Sequence, residues 1–243
     1  MDNQNEMVET AEEALSKLSG GRVLDVATGG GGFITYLMEN LKDYSDITGI
    51  DRNERPLEAA RKAHSLENIR FQCMNAARMD FPDRHFDTVS IANSLHHMAD
   101  LPSVLSEMMR VCKPGGRFII SEMYRDGQSE TQLTHVLLHH WWAAVDTAEG
   151  ITHHETFTRQ QIMELTEKLG LQHQKYFDEK DLESDPRDPE MIQELDGVID
   201  RYIQRSQALI GGAELCRRGE ELRKRVHEVG FQGASSLFIF GEK

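Results

Sequence analysis

The 243 residues predict an α/β fold: a doubly wound, mostly parallel sheet with an antiparallel last strand and a helical cap. Three observations predict it. The first half alternates short apolar runs with helical patterns of about ten to fifteen residues, which implies right-handed crossovers between parallel strands. A glycine-rich turn at 25–32 joins the first apolar run to a helix. A last apolar run at 234–240 follows long helices, as a strand inserted antiparallel would.

The elements follow in order. Residues 5–18 read as a helix, 22–27 as a buried strand and 33–41 as a helix. A second strand at 47–51 leads into a helix at 55–64, where Pro56 is tolerated in the first turn. Strands at 69–73 and 86–92, a helix at 101–111, the turn Lys113-Pro114-Gly115-Gly116 and a fifth strand at 117–121 complete the first half. Residues 126–150 are helical and rich in His and Trp. An amphipathic helix spans 158–169, with Thr156 or Thr158 as its cap, and a sixth strand spans 171–177. The acidic stretch 178–200 reads as an exposed loop running into a helix. Helical patterns continue to 229, broken at Gly211-Gly212, before the seventh strand. The expected organisation is one domain over 1–243, with a cofactor half at 20–125 and cap segments at 126–160 and 180–230.

Composition limits the partners. Hydrophobic residues at 39% support a sizeable core. A net charge of −14 repels a phosphate backbone, so no nucleic-acid partner is expected. The densest basic stretch, Arg217, Arg218, Arg223, Lys224 and Arg225, is interrupted by Glu220 and Glu221 and reads as a solvated helix face. Cys73, Cys112 and Cys216 have neither metal-like nor disulfide-like spacing, and free thiols fit a reducing cytoplasm. The first ten residues are polar and acidic, unlike a signal or transit peptide. No apolar run is long enough for a membrane helix, so no membrane partner is expected. The helices at 128–150 and 186–229 could pair across a homodimer.

The turn Asp25-Val26-Ala27-Thr28-Gly29-Gly30-Gly31-Gly32 carries the first functional signal. Glycine lets a backbone approach a ligand without a Cβ, and the helix behind it offers free N–H groups. Asp51, twenty residues after Gly31 at the end of the second strand, can accept both hydroxyls of a ribose. Asp25 lies inside the first strand, where a buried carboxylate must be paired or hydrogen-bonded. An anionic pyrophosphate gains nothing from it, whereas a ligand ammonium does. The GxGxxG/A pattern of dinucleotide sites also fits poorly, because Ile34 stands where a small residue belongs.

With these motifs, residues 20–125 resemble the class I S-adenosylmethionine-dependent methyltransferases, in the group that includes the ubiquinone and menaquinone biosynthesis enzymes. Ala27 stands where the commonest form has glycine, and Met74-Asn75-Ala76 where Gly-Asp-Ala meets the adenine. Phe81-Pro82-Asp83, Phe86-Asp87, Asn93-Ser94-Leu95-His96-His97 and Arg110-Val111-Cys112-Lys113-Pro114-Gly115-Gly116 match in order. The resemblance implies a Rossmann-like seven-stranded sheet, S-adenosylmethionine as cofactor and S-adenosylhomocysteine as product. It places Asp25, Ala27, Thr28, Gly29, Gly31, Asp51, Arg52, Asn75, Ala76, Asn93 and Ser94 at the cofactor.

Methyl transfer needs alignment, exclusion of water and removal of a proton where one must leave. The groups that choose a small-molecule acceptor are expected in the cap. Five of the eleven histidines and both tryptophans lie there: His135, His139, His140, Trp141, Trp142, His153 and His154, with Asp146 among them. His97, His140 and His154 are the candidate catalytic residues, with histidine as general base. Adjacent on a helix, Trp141 and Trp142 point about 100° apart, one toward the core and the other toward a pocket. His135 and His139 share a helix face and with His153 or His154 could bind a divalent ion. No cysteine or flanking acid completes a recognised spacing, so no metal is assigned. The alternatives are a protein or nucleic-acid methyltransferase, a non-catalytic cofactor-binding protein and, least fitting, an NAD-linked oxidoreductase.

Overall fold

A computed structural model describes residues 9–243. Among these residues the chain forms seven strands in one sheet and eight α-helices. β1 (Arg22–Val26) is central, parallel to β2 (Asp46–Asp51) on one side and β4 (Phe86–Ala92) on the other. β3 (Ile69–Cys73) extends the sheet beyond β2, and β5 (Cys112–Met123) beyond β4. β7 (Ser236–Glu242) inserts antiparallel between β5 and β6 (Gln172–Glu179), giving the order β3-β2-β1-β4-β5-β7-β6. The expected antiparallel last strand is present.

Both faces of the sheet are covered, as a near-continuous apolar strand such as β1 requires; Val23, Leu24 and Val26 are fully buried. One face packs against α1 (Ala11–Leu15), α2 (Gly32–Asn40) and α3 (Glu54–Ala63) through Leu15, Ile34, Leu37 and Leu57. The other packs against α4 (Leu101–Val111) and α6 (Arg159–Glu167) through Val104, Met108 and Ile162. The strand order reverses between β1 and β4. That switch point opens a crevice beyond their carboxyl ends, which is where ligands of open α/β sheets bind.

Three of the differences from expectation have a local reason. The first helix begins at Ala11 because Thr10 caps it in a reciprocal capping box with Glu13; the expected residues 5–8 lie outside the described residues. β5 begins at Cys112 because the Gly115-Gly116 turn is stapled to the last residue: Gly115 N donates to Lys243 O and Lys243 N to Gly116 O. Leu95–His97 forms a single 3₁₀ turn that the sequence pattern did not indicate. Of the two candidate caps, Thr158 caps α6 by accepting from Gln161 N.

The cap has its own core. α5 (Glu130–Ala148), α7 (Pro189–Gln207) and α8 (Gly212–Glu228) enclose Leu138, Trp141, Val145, Leu195, Ile199 and Val226. Trp141 is fully buried, and its indole N–H donates to Leu215 O at 2.9 Å. Gly219 makes room for it: a Cβ there would stand 2.5 Å from a Trp141 ring carbon. The three cysteines are free. Among the described residues no helix is long and apolar enough to cross a membrane.

Candidate cofactor site and a buried histidine cluster

Two adjoining cavities sit at the switch point and share Ala27 and Asn93 in their walls. The larger, of about 460 Å³, is lined by Gly29, Asp51, Arg52, Asn75, Ala76, Ser94, His97 and Met98, with Ile151 and Thr152 of the cap closing one side. The other, of about 400 Å³, is lined by Asp25, Thr28, Gly32, Phe33, Tyr36, Glu179 and Phe238. Ten of the eleven residues expected at the cofactor line one or both cavities. The exception, Gly31, is the left-handed N-cap of α2, with φ +85°. A Cβ on it would press on the His64 ring at 2.9 Å, so this glycine shapes the turn from behind.

Both acidic residues are held ready. Asp51 accepts from Gly29 N at 3.0 Å and Asn53 N at 2.8 Å, which turns its carboxylate across the glycine turn and leaves lone pairs free. Asp25 is buried. Its Oδ1 accepts from the Ser90 hydroxyl at 2.8 Å, whereas Oδ2 has no partner. Burial pushes this carboxyl up to about 6, with the neighbouring Thr28 and Ser90 hydroxyls holding it back. An unpartnered buried oxygen costs about 1–3 kcal/mol, which a bound ammonium would recover. Asn75 replaces an acid, and its Oδ1 accepts from Ala77 N at 3.0 Å, ordering its own turn.

The methyltransferase-domain family model matches residues 24–120, the stretch that supplies most of these walls. Over these residues the chain is similar to class I methyltransferase domains. A demethylmenaquinone methyltransferase of Deinococcus radiodurans is 40% identical over 114 residues, 46% of this chain and 46% of that one. The chain spans less than half the length of the curated relatives it matches. Solved structures cover more of it but at low identity, and so speak for the fold. A methyltransferase from Bacillus halodurans superposes with a TM-score of 0.60 at 18% identity, covering 96% of both chains. Haemonchus contortus phosphoethanolamine N-methyltransferase 2, solved with S-adenosylmethionine, gives 0.56 at 18%, covering 96% of this chain and 52% of that one.

Beside the larger cavity four histidines meet: His96 and His97 of the 3₁₀ turn, His139 of α5 and His153 of the loop after α5. One ring nitrogen of each lies within 4.8 Å of the others'. Glu122, fully buried at the end of β5, holds the turn by accepting from Ser94 N and Leu95 N, and it meets His96 Nδ1 at 2.5 Å. Asp146, two turns along α5 from His139, meets His153 Nδ1 at 2.6 Å and is backed by Arg205. His154 N donates to His96 O at 2.9 Å, pinning the loop to the turn. Burial, with smaller contributions from the neighbouring rings, holds His97 down to about 3 and His139 to about 2.

The structure re-sorts the cap residues. Of the three candidate catalytic histidines, His97 lines the cavity. His140 is half-buried with Nε2 2.9 Å from the Thr156 hydroxyl, and the His154 residue is exposed; neither lines a cavity. His135 leaves the cluster because its Nδ1 accepts from Ala234 N at 2.9 Å. Trp141 is core as one of the pair was expected to be; Trp142 lies against His139, with ring centroids 6.0 Å apart, and lines neither cavity. Sequence reasoning passed over Glu122 and the wall formed by Phe33, Tyr36, Glu179 and Phe238. A glutamate closing the apolar strand run after Ile120 was the available signal for the first. Of the second, Phe33 and Tyr36 follow the glycine turn on α2, whereas nothing local marked Glu179 and Phe238, which β6 and β7 bring from the far end of the chain.

Proposed function

We propose that the chain transfers a methyl group from S-adenosylmethionine to a small-molecule acceptor. One observation carries the reading: an unpartnered buried carboxylate oxygen of Asp25 in the wall of one cavity and the oriented Asp51 carboxylate in the wall of the other, the two cavities sharing Ala27 and Asn93. That pair of carboxylates suits a ligand that carries both an ammonium and a ribose. When bound, the sulfonium supplies a methyl group activated for in-line displacement. The remaining work falls to the protein. Asp25 receives the ammonium, Asp51 the ribose hydroxyls, and the Asn75-Ala76 backbone with Met98 flanks the adenine. Open space over Gly29, Gly30 and Gly32, where a Cβ would meet nothing within 4 Å, leaves the backbone approachable.

Of the three histidines expected to act as base, His97 alone lines one of these cavities. Held near 3, it stays neutral but is a weak proton acceptor. The demethylmenaquinone methyltransferase among the relatives makes a quinone-type molecule the first acceptor class to test. The cap that would choose the acceptor lies outside the matched residues 24–120, so the acceptor is an open choice within small molecules.

The test is thermal stability with S-adenosylmethionine, S-adenosylhomocysteine and NAD, followed by labelled methyl transfer to a panel of quinols and phenols. A rise with the first two alone is expected. A rise with NAD alone would overturn the reading. Tight binding with no transfer to any acceptor would favour a non-catalytic cofactor-binding protein.

A further inference from the structure

We infer that His96, His97, His139 and His153 form a binding site for a divalent transition-metal ion, with zinc the first candidate. The geometry begins with four imidazoles from three separate elements whose nitrogens converge to within 4.8 Å. Tetrahedral zinc at about 2.0–2.1 Å from each nitrogen needs about 3.4 Å between them, so the rings close by at most about 1.4 Å on loading.

The unpartnered atoms carry the argument further. His96 Nε2, His139 Nδ1 and His153 Nε2 are buried and have no hydrogen-bond partner. Two of these are fixed by what stands behind them. Glu122 at His96 Nδ1 and Asp146 at His153 Nδ1 place the proton on Nδ1, so each Nε2 presents a lone pair inward. A carboxylate behind a histidine is the usual support of a metal-bound imidazole. The two carboxylates also answer a dication's charge, and Arg205 holds Asp146 from outside. His97, which alone of the four lines the cofactor cavity, gives an entry path. An all-imidazole set suits zinc, nickel, copper or iron and disfavours magnesium or calcium.

The cluster carries this inference without any assumption about methyl transfer, and its readout is metal. Tag-free protein is purified, stripped with a chelator and titrated with Zn2+ or Co2+ alone. The expected result is one equivalent per chain retained through gel filtration, a raised thermal midpoint, and the visible absorption of a tetrahedral nitrogen site with Co2+. The double variant His139→Ala/His153→Ala should lose at least about 100-fold in affinity, and Asp146→Asn, which keeps all four ligands, about 10–100-fold. His154→Ala should bind as the parent does. Far-UV circular dichroism checks that each variant is folded. If the double variant fails to fold, Asp146→Asn and the Co2+ spectrum decide. Folded parent protein that retains none of Zn2+, Co2+, Ni2+ or Fe2+ overturns the site. So does a folded double variant that binds like the parent, or a loss in His154→Ala as large as that in the double variant.

Discussion

Residues 22–123 place their polar groups at strand ends, where sheet register fixes them: Asp25 and Ser90 are register partners on β1 and β4, and Asp51 closes β2. The cap works otherwise. His139 and Asp146 sit on one helix, His153 on the loop after it, and His96 and His97 on a turn from the other half. In the first region a residue's place in the sequence determines its place in space. In the second, three elements must dock before any site exists. Damage to a strand end should therefore stay local, whereas damage where the regions meet should spread.

Glu122 is the place to break that contrast, because it belongs to both regions. Its carboxylate is fully buried and joins β5, the 3₁₀ turn and His96. Glu122→Ala leaves two backbone N–H groups and an imidazole unpartnered in the interior. A loss of about 3 kcal/mol is expected in urea denaturation, with weaker cofactor binding alongside. Unchanged stability would mean that the two regions dock without it.

Asp25→Asn tests the local half of the comparison. The loss of a charged hydrogen bond, about 1.5–3 kcal/mol, predicts roughly 10- to 100-fold weaker S-adenosylmethionine binding by calorimetry, with cap stability untouched. A pH signature goes with it. The folded carboxyl titrates near 6, above its ordinary 3.8, so the folded state holds this proton more tightly than the unfolded state. Its contribution to the stability of the cofactor-free protein is therefore full below about 4 and falls away as pH rises toward 6. Binding of a cation runs the opposite way, about tenfold weaker at pH 5 than at pH 7. Asn at 25 should flatten both trends. A parent protein whose affinity is level from pH 5 to 7 would remove Asp25 from the ammonium's site.

These two residues also explain what was legible in advance. Asp25 and Asp51 were readable because a strand followed by a glycine turn fixes where the next side chain points. The parallel sheet was readable because apolar runs recur at crossover spacing. The histidine cluster was half readable. His139 and His153 stood out by composition, but the pairing with His135 followed helix periodicity, and tertiary structure gave His135 to the Ala234 backbone instead. His140 and His154 failed to reach a cavity for the same reason: spacing along one element says nothing about which neighbour will dock on it.

Gly219→Ala sharpens the other side. A Cβ there would stand 2.5 Å from the Trp141 ring and 2.9 Å from Ile203, inside the cap's own core. Elsewhere in a helix this change gains up to about 1 kcal/mol. Here overpacking of about 1–3 kcal/mol should exceed that gain and leave a net loss of about 1–2 kcal/mol. Hydrogen exchange should show the loss in α5, α7 and α8, with the strands of the cofactor half protected as before. Equal deprotection of β1 and β4 would show that the cap's core and the sheet unfold as one unit.

The smallest expected effect sits in the turn itself. Ala27 lines both cavities with φ +56°, a left-handed conformation in which its Cβ is crowded. That conformation costs a side chain about 1–2 kcal/mol. Ala27→Gly relieves it, but glycine frees the unfolded chain by about 0.4–1 kcal/mol. The expected net is a gain of up to about 1 kcal/mol, read as a small rise in the thermal midpoint of the cofactor-free protein. The register of β1 with β2 and β4 already holds the turn, so cofactor affinity should change less than about threefold. A larger fall in affinity would show that the methyl group of Ala27 is itself part of the cofactor's wall, and that fixed backbone alone does not define the site.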